Sequence, residues 1–276
     1  MLAFTFLLFW SLFYSFNRSD RLGTLWTTFM LSIKKSDFSS MNQPLIRGAN
    51  ASKKTNQRSK SEKVLRTLRI ISAMIAHLIA IAFPAFIIYL ASPGSSLFSW
   101  HPTLMTIAFT TLMVEAILVF SPESSLLFRA SRKTKVTVHW ILQCSCVLCA
   151  LIGFVVIFYN KYEHSKSHFT SWHGRFGLIT VIYIVVQASC GIFLLYPSLV
   201  KNWKLVQLKT YHATFGLLGF TLACCTIALG LFSNWFTGNV SGFTWYLSMF
   251  CVGWLTLVIM NQVTTAYLPK TRKPAI

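Results

Sequence analysis

Long apolar runs alternate with short polar segments over most of the chain. Most runs reach the roughly 20 residues that a helix needs to cross a hydrocarbon core of about 30 Å. Backbone groups in lipid must satisfy one another, so runs of this length predict helices. The sequence predicts six such helices, at 70–90, 102–120, 136–159, 174–196, 211–232 and 243–267. The expected fold is therefore an all-α integral membrane protein with six transmembrane helices.

The chain before the first run has a different character. Residues 1–16 are apolar and aromatic but short for a span, and they lack a basic n-region, which favours an interfacial segment over a signal peptide. The alternatives are a seventh helix, or sequence upstream of a start at Met41. Residues 34–63 are rich in Ser, Lys, Asn and Gln, which predicts disorder. We therefore expect a mostly disordered extension over residues 1–60.

Composition and charge distribution agree with a membrane protein and indicate its orientation. The 276 residues are 54% hydrophobic and 11% charged, with a net charge of +19. Of the 25 Lys and Arg residues, 22 fall on one side of the predicted membrane, including a basic tail at 270–276. The positive-inside rule makes that side, with both termini, cytosolic. The basic charge is thus a topology signal and a surface for anionic lipid, and it does not indicate nucleic-acid binding.

Histidines occupy matched positions in the predicted helices. Polar side chains at membrane depth are costly and are therefore functional candidates. Four successive helices each carry a histidine near their N-terminal end: His101, His139, His173 and His212. Because neighbouring helices run in opposite directions, His101 and His173 should lie at the lumenal level. His139 and His212 should lie at the cytosolic level.

Facing pairs of imidazoles are typical of a haem site. Two histidines are too few for a structural zinc site, which usually has four protein ligands. A haem supplies four nitrogens itself, and two axial histidines leave its iron with no open position, so it passes electrons. His77 also lies near the cytosolic level, and spacing alone leaves it a rival to His139 or His212. For any single histidine the structural alternative is an interhelical hydrogen bond.

Four segments resemble the cytochrome b561 family. They are SPGSSLFSWHP at 92–102, FSPESSLL at 120–127, YHAT at 211–214 and VIMNQV at 258–263. The resemblance covers about residues 61–269 and implies a four-helix bundle of the second to fifth helices around two haems b.

The resemblance also implies specific ligands. His101 and His173 match the ligands of the non-cytosolic haem, and His139 and His212 match those of the cytosolic haem. His77 then becomes a packing residue or a neighbour of the ligands.

The resemblance further implies an ascorbate-dependent oxidoreductase. Electrons would pass from cytosolic ascorbate to a lumenal acceptor, either monodehydroascorbate radical or ferric iron, in endoplasmic reticulum or cytoplasmic vesicle membranes. A haem-bearing carrier subunit for a partner enzyme and a haem-free transporter are the alternatives. A homodimer is compatible with the sequence.

Several polar residues are candidates for the substrate ends. Ascorbate is an anion, and three lysines lie just before the cytosolic histidines: Lys133, Lys135 and Lys209. On the lumenal side, His168 and Arg175 lie near His173 and could contact an acceptor. The alternative is that the lysines enforce topology alone and the loop histidine is simply solvated.

Two further polar residues are predicted at the cytosolic level. Glu115 lies about four helical turns after His101, and Gln187 lies about four turns after His173. Each either orients His139 or His212, because an axial histidine needs a partner for its second nitrogen, or makes an interhelical hydrogen bond.

Overall fold

The computed structural model describes residues 49–200 and 203–267. Throughout these residues all regular structure is helical, and six helices are long and apolar enough to cross a membrane. They are α1 (Ala49–Ala91), α2 (Trp100–Leu118), α3 (Arg132–Glu163), α4 (Trp172–Leu195), α5 (Leu205–Gly230) and α6 (Gly242–Tyr267). A short helix, Asn234–Asn239, lies between α5 and α6. The predicted all-α, multi-pass architecture is confirmed.

Helix α1 starts earlier than the apolar pattern predicts. It begins at Ala49, inside the segment whose composition predicts disorder, although its apolar spanning part is Glu62–Ala91. The predictions for 1–16 and 270–276 lie outside the described residues. The chain divides after residue 66, and the site lies in the part that follows.

Capping explains why α3 and α5 also begin before their predicted starts. The Ser131 side chain accepts a hydrogen bond from the Thr134 backbone N–H, which caps α3 four residues before the predicted start. At the start of α5, the Gln207 side-chain carbonyl accepts from the Lys204 backbone N–H at 3.2 Å, which is the N3 half of a capping box. Both caps lie in polar sequence, which the apolar pattern alone does not detect.

The central four helices form two antiparallel hairpins that pack together. Helix α2 packs against α3, and α4 packs against α5. Contacts of α3 with α4 and of α5 with α2 close the bundle. Helix α6 lies against α5 and α2. The two ends of this bundle are named here by their lysines. The Lys135 end is where α2 ends and α3 begins, and the Lys161 end is where α3 ends and α4 begins.

A proline in α1 creates a hydrogen bond to α2. Pro84 has no N–H, so the carbonyl of Ala80, four residues earlier, loses its usual intrahelical donor. Thr111 Oγ1 donates to that carbonyl at 2.6 Å. Thr111 lies in a π-helical stretch, Ile107–Leu112, which widens one turn of α2. The contact therefore connects α1 to α2 where the backbone bonding of α1 is interrupted.

Removal of the Thr111 hydroxyl should loosen this connection. We expect Thr111→Val to lower the free energy of unfolding by about 1 kcal/mol, because the Ala80 carbonyl is left without its donor in an apolar environment. Thermal unfolding in detergent measures the effect. Thr111→Ser retains the hydroxyl and is the matched control, and equal midpoints for the two variants would contradict the expectation.

Candidate functional site

The four histidines at helix starts lie in two pairs in the structure. His101 of α2 faces His173 of α4, with ring centroids 6.1 Å apart and ring planes at 81°. His139 of α3 faces His212 of α5 at 6.3 Å and 77°. The first pair lies at the Lys161 end and the second at the Lys135 end.

In the α2–α3 hairpin, each helix supplies a backbone acceptor for the histidine of the other. His101 Nδ1 donates to the Gly153 carbonyl at 2.9 Å, and His139 Nδ1 donates to the Ala116 carbonyl at 2.7 Å. A carbonyl oxygen can only accept, so Nδ1 carries the hydrogen in both rings. Nε2 of each neutral ring then has a lone pair available for a metal ion.

The α4–α5 hairpin repeats this arrangement with one change. His173 Nδ1 donates to the Thr226 carbonyl at 2.9 Å. At the other end, the Gln187 side-chain amide lies 3.1 Å from His212 Nδ1 and donates to the backbone carbonyl of His212 at 2.8 Å. Gln187 therefore contacts His212, as one of the two interpretations of its spacing predicts.

The positions of the residues that accept these hydrogen bonds show how far apart the two histidine pairs lie. Gly153, which binds His101, lies about four turns beyond His139 on α3, and Thr226 lies about four turns beyond His212 on α5. A pitch of about 5.4 Å per turn places the two levels roughly 21 Å apart. Each pair consequently lies near its own end of the bundle.

Glu115 binds His77 and makes no direct hydrogen bond to His139 or His212. The Glu115 carboxylate oxygens lie 2.7 and 2.9 Å from His77 Nδ1, and His77 Nε2 donates to the Ser124 carbonyl at 3.1 Å. Both nitrogens of His77 are occupied, which removes it as a rival to His139 or His212. The interhelical hydrogen bond, the other interpretation of Glu115, is the one observed.

A cavity of about 270 Å³ surrounds the pair at the Lys161 end. Its walls are mainly apolar and include many aromatic rings, and His101 and His173 both line it. Lys161 and His168 also line this cavity. The His168 ring stacks on Phe158 with centroids 4.2 Å apart, and Lys161 Nζ donates to the Ser167 carbonyl at 3.0 Å.

Arg175 does not line this cavity, whereas His168 does. Its Nε donates to the Phe169 carbonyl at 3.1 Å, and its guanidinium lies over the Trp172 ring, 5.4 Å from the centroid. Of the two lumenal candidates, the structure thus places His168 beside the histidine pair. Lys161, which the sequence analysis did not single out, lines the cavity together with His168.

The lysines at the other end lie in the first turns of α3 and α5. Lys133 is exposed, and Lys135 and Lys209 are half-buried. Lys135 precedes His139 by four residues and Lys209 precedes His212 by three, about one helical turn in each case. Because His139 and His212 form one pair, these two turns belong to the same end of the bundle.

Comparison with known proteins identifies the family. The profile described as eukaryotic cytochrome b561 matches residues 100–237, which include all four paired histidines. The chain is 50% identical over 209 residues to the protein named transmembrane reductase CYB561D2 of Bos taurus, covering 76% of this chain and 94% of the relative. This chain belongs to the cytochrome b561 family. The resemblance of the four segments to this family is confirmed, and the chain is similar to the CYB561D2 branch of it.

More distant members of the cytochrome b561 family are also similar. The transmembrane ascorbate-dependent reductase CYB561 of Pongo abelii is 30% identical over 137 residues, 49% of this chain and 52% of the relative. The probable transmembrane ascorbate ferrireductase 4 of Arabidopsis thaliana is 28% identical over 163 residues, 55% of this chain and 62% of the relative.

Membership of the cytochrome b561 family implies haem b, and the histidine pairs fit this group. A metal–imidazole bond of about 2.0 Å, with about 1.1 Å from that nitrogen to the ring centre, puts two axial rings about 6.2 Å apart. The observed separations are 6.1 and 6.3 Å. Among the described residues, no three His, Cys, Asp or Glu side chains form a group able to hold a metal ion. A pair needs further ligands, and a porphyrin supplies four.

Proposed function

We propose that this cytochrome b561 transfers single electrons across the membrane, from ascorbate at the Lys135 end to an acceptor at the Lys161 end. The observation that carries the proposal is the presence of two facing histidine pairs, one near each end of the bundle. In this proposal His101 and His173 bind one haem b, and His139 and His212 bind the second. The relatives are named transmembrane reductases, and some of them are named as ascorbate-dependent. These names support reduction driven by ascorbate.

The protein's part in this function is to hold both iron centres and to exclude other chemistry. Haem b supplies reversible one-electron oxidation and reduction when bound. With haem bound, the two histidines of each pair would hold the iron from both sides, which would leave no site for oxygen. The Nδ1–H bonds of His101, His139 and His173 to backbone carbonyls fix the ring orientation and increase the basicity of the ligating nitrogen.

Lysines at the Lys135 end provide a site for the electron donor. Ascorbate is a monoanion at neutral pH, and it loses one electron and one proton to become monodehydroascorbate radical. Lys135 and Lys209 lie one turn from His139 and His212, so their ammonium groups attract the anion to the electron-accepting edge. Lys133, which is exposed, adds to the positive field that the anion meets first.

Lys161 and His168 provide the acceptor site, beside the haem that His101 and His173 would hold in the same cavity. A monodehydroascorbate radical anion takes one electron and one proton there and becomes ascorbate, whereas ferric iron takes one electron and becomes ferrous. Lys161 and His168 line the cavity beside His101 and His173 and bind the anionic acceptor or its chelate. Arg175 contributes positive charge from the neighbouring turn.

The charge distribution orients this path in the membrane. Because 22 of 25 basic residues lie on the side that includes the Lys135 end, that end and both termini face the cytosol. We place the protein in endoplasmic reticulum or cytoplasmic vesicle membranes, with ascorbate cytosolic and the acceptor lumenal.

Sealed vesicles containing the purified holoprotein test this function. With the Lys135 end outward, external ascorbate should reduce ferric chelate trapped inside, and vesicles without protein should show no reduction. We expect the double variant Lys135→Ala, Lys209→Ala to raise the KM for ascorbate at least about tenfold, because loss of even one charged contact costs about 1.5 kcal/mol.

The optical spectrum and a matched variant complete the experiment. Both haems should remain in the double variant, and Lys166→Ala, on the opposite face, should leave the KM for ascorbate unchanged. An unchanged KM in the double variant would refute the donor site. Haem that ascorbate reduces without reduction of the trapped acceptor would instead identify a carrier subunit that needs a partner enzyme.

A further inference from the structure

Three consecutive residues near the end of α2 connect it to three different helices. The Glu115 carboxylate binds His77 of α1, the Ala116 carbonyl binds His139 of α3, and the Ile117 carbonyl accepts from Gln262 of α6 at 3.0 Å. We propose that the outer helices α1 and α6 position His139 through this turn, with His77, Glu115 and Gln262 as the positioning residues. This inference rests on the proposed ligation of one haem by His139.

The end of α2 explains why Ala116 has a carbonyl free to bind His139. In a continuing helix the Phe120 N–H would donate to Ala116, four residues earlier. Here the Phe120 N–H donates to Ile117 at 3.2 Å, as the helix tightens before Ser121 and Pro122. The Ala116 carbonyl is left to accept from His139 Nδ1. The direction of this carbonyl, and with it the His139 ring, depends on how the last turn of α2 is held.

On the α1 side, one buried histidine spans the last turn of α2 and the loop that follows it. His77 is 6% exposed and bonds to Glu115 through Nδ1 and to the Ser124 carbonyl through Nε2. The carbonyl can only accept, so Nε2 carries a hydrogen, and a second proton is shared between Nδ1 and the carboxylate. Loss of either partner would leave a polar group unpaired in a buried position, so this contact holds the turn firmly.

On the α6 side, Gln262 holds the next residue of the same turn. Its amide donates to the Ile117 carbonyl, which also accepts from the Phe120 N–H. The carbonyl before it, that of Ala116, is the one that His139 uses. Restraints from α1 and α6 therefore act on the residues immediately before and after the acceptor of the His139 hydrogen bond.

These restraints should influence the reduction potential of one haem. An Nδ1–H bond to a well-placed carbonyl makes an axial imidazole a stronger electron donor, which favours oxidised iron. Loosening the last turn of α2 weakens that bond, so reduction of the haem held by His139 becomes easier. The haem held by His101 and His173 should not change, because its histidines bind the carbonyls of Gly153 and Thr226.

A redox titration of the purified two-haem protein, followed by optical and electron paramagnetic resonance spectra, tests this inference. The variants are Glu115→Gln, which retains shape and hydrogen-bonding groups, and Gln262→Leu. Each is expected to raise the reduction equilibrium constant of one haem up to about tenfold, which is about 59 mV for a one-electron couple. Trp254→Phe is the matched control, because its indole N–H joins α6 to the Ser72 carbonyl of α1 and bypasses α2.

The outcomes separate this inference from the proposed function. The spectral component that is missing from His139→Ala identifies the haem that His139 would hold. If that variant keeps both haems, the proposed ligation by His139 is refuted. A shift or loss confined to that haem in the Glu115 or Gln262 variant supports positioning. Unchanged potentials, or equal effects on both haems, would overturn positioning while leaving the ligation intact.

Discussion

His139→Ala is expected to leave one haem b per chain in place of two and to abolish reduction of an acceptor across the membrane. The substitution removes one of two axial ligands from the pair at the Lys135 end, and no other histidine can replace it, because both nitrogens of His77 are occupied. The pair at the Lys161 end is about 21 Å away along the bundle and should keep its haem. The haem-to-protein ratio and the vesicle assay measure the two effects.

A reciprocal variant and a histidine control sharpen this expectation. His173→Ala should remove the other haem, so the two residual spectra should differ and should together account for the wild-type spectrum. His164→Ala, in the exposed loop where Nδ1 bonds to the Asn160 carbonyl, should keep both haems. Retention of two haems in His139→Ala, or loss of both in either variant, would contradict the assignment of one pair to each centre.

The pairing geometry follows from the sequence because few variables determine it. A span has a nearly fixed length and neighbouring spans alternate in direction, so a histidine near the start of every helix must lie at alternate ends of the bundle. His101 and His173 are consequently at one level, and His139 and His212 at the other. The same reasoning predicts Gln187 at the level of His139 and His212, because about four turns of helix lead from one level to the other, and the structure shows it beside His212.

Residue spacing could not identify the partners that fix the ring orientations. Three histidines bond to backbone carbonyls, those of Gly153, Ala116 and Thr226, and a carbonyl has no signature in the sequence. Glu115 is at the predicted level, but its direction around the helix points to α1, which depends on packing. The sequence therefore predicts the level of a side chain along the bundle more readily than the residue that it contacts.

The loop at the Lys161 end shows the same limit for the acceptor site. Ser165 and Phe169 have positive φ angles of 49° and 54°, which are uncommon for residues other than glycine. Lys161 is in the last turn of α3, and these two turns fold the following loop so that the Ser167 carbonyl accepts from Lys161, His168 lines the cavity and Arg175 binds the Phe169 carbonyl. Neither position carries the glycine or asparagine that would have signalled such a turn, so the sequence did not indicate the loop path that brings Ser167 to Lys161.

Two glycines, each facing a histidine of the neighbouring helix, give a stringent test of the space around the pairs. Gly230 of α5 lies against His173, and a Cβ atom there would be 3.1 Å from Cε1 of the ring. Gly191 of α4 lies against His212, where the corresponding distance is 3.5 Å, an ordinary contact. The same substitution, glycine to alanine, should therefore have different consequences at the two ends of the bundle.

Gly230→Ala is expected to weaken retention of the haem at the Lys161 end about tenfold, the effect typical of disturbed support for a metal ligand. The added methyl group must displace the His173 ring by a few tenths of an ångström, and Nδ1 bonds to the Thr226 carbonyl on the same side of the ring. Gly191→Ala should keep both haems. Alanine favours a helix over glycine by about 1 kcal/mol, so neither substitution should destabilise its helix. Optical spectra that follow haem loss during dilution in detergent measure the difference. Equal haem retention in the two variants would show that His173 has more room than the structure gives it.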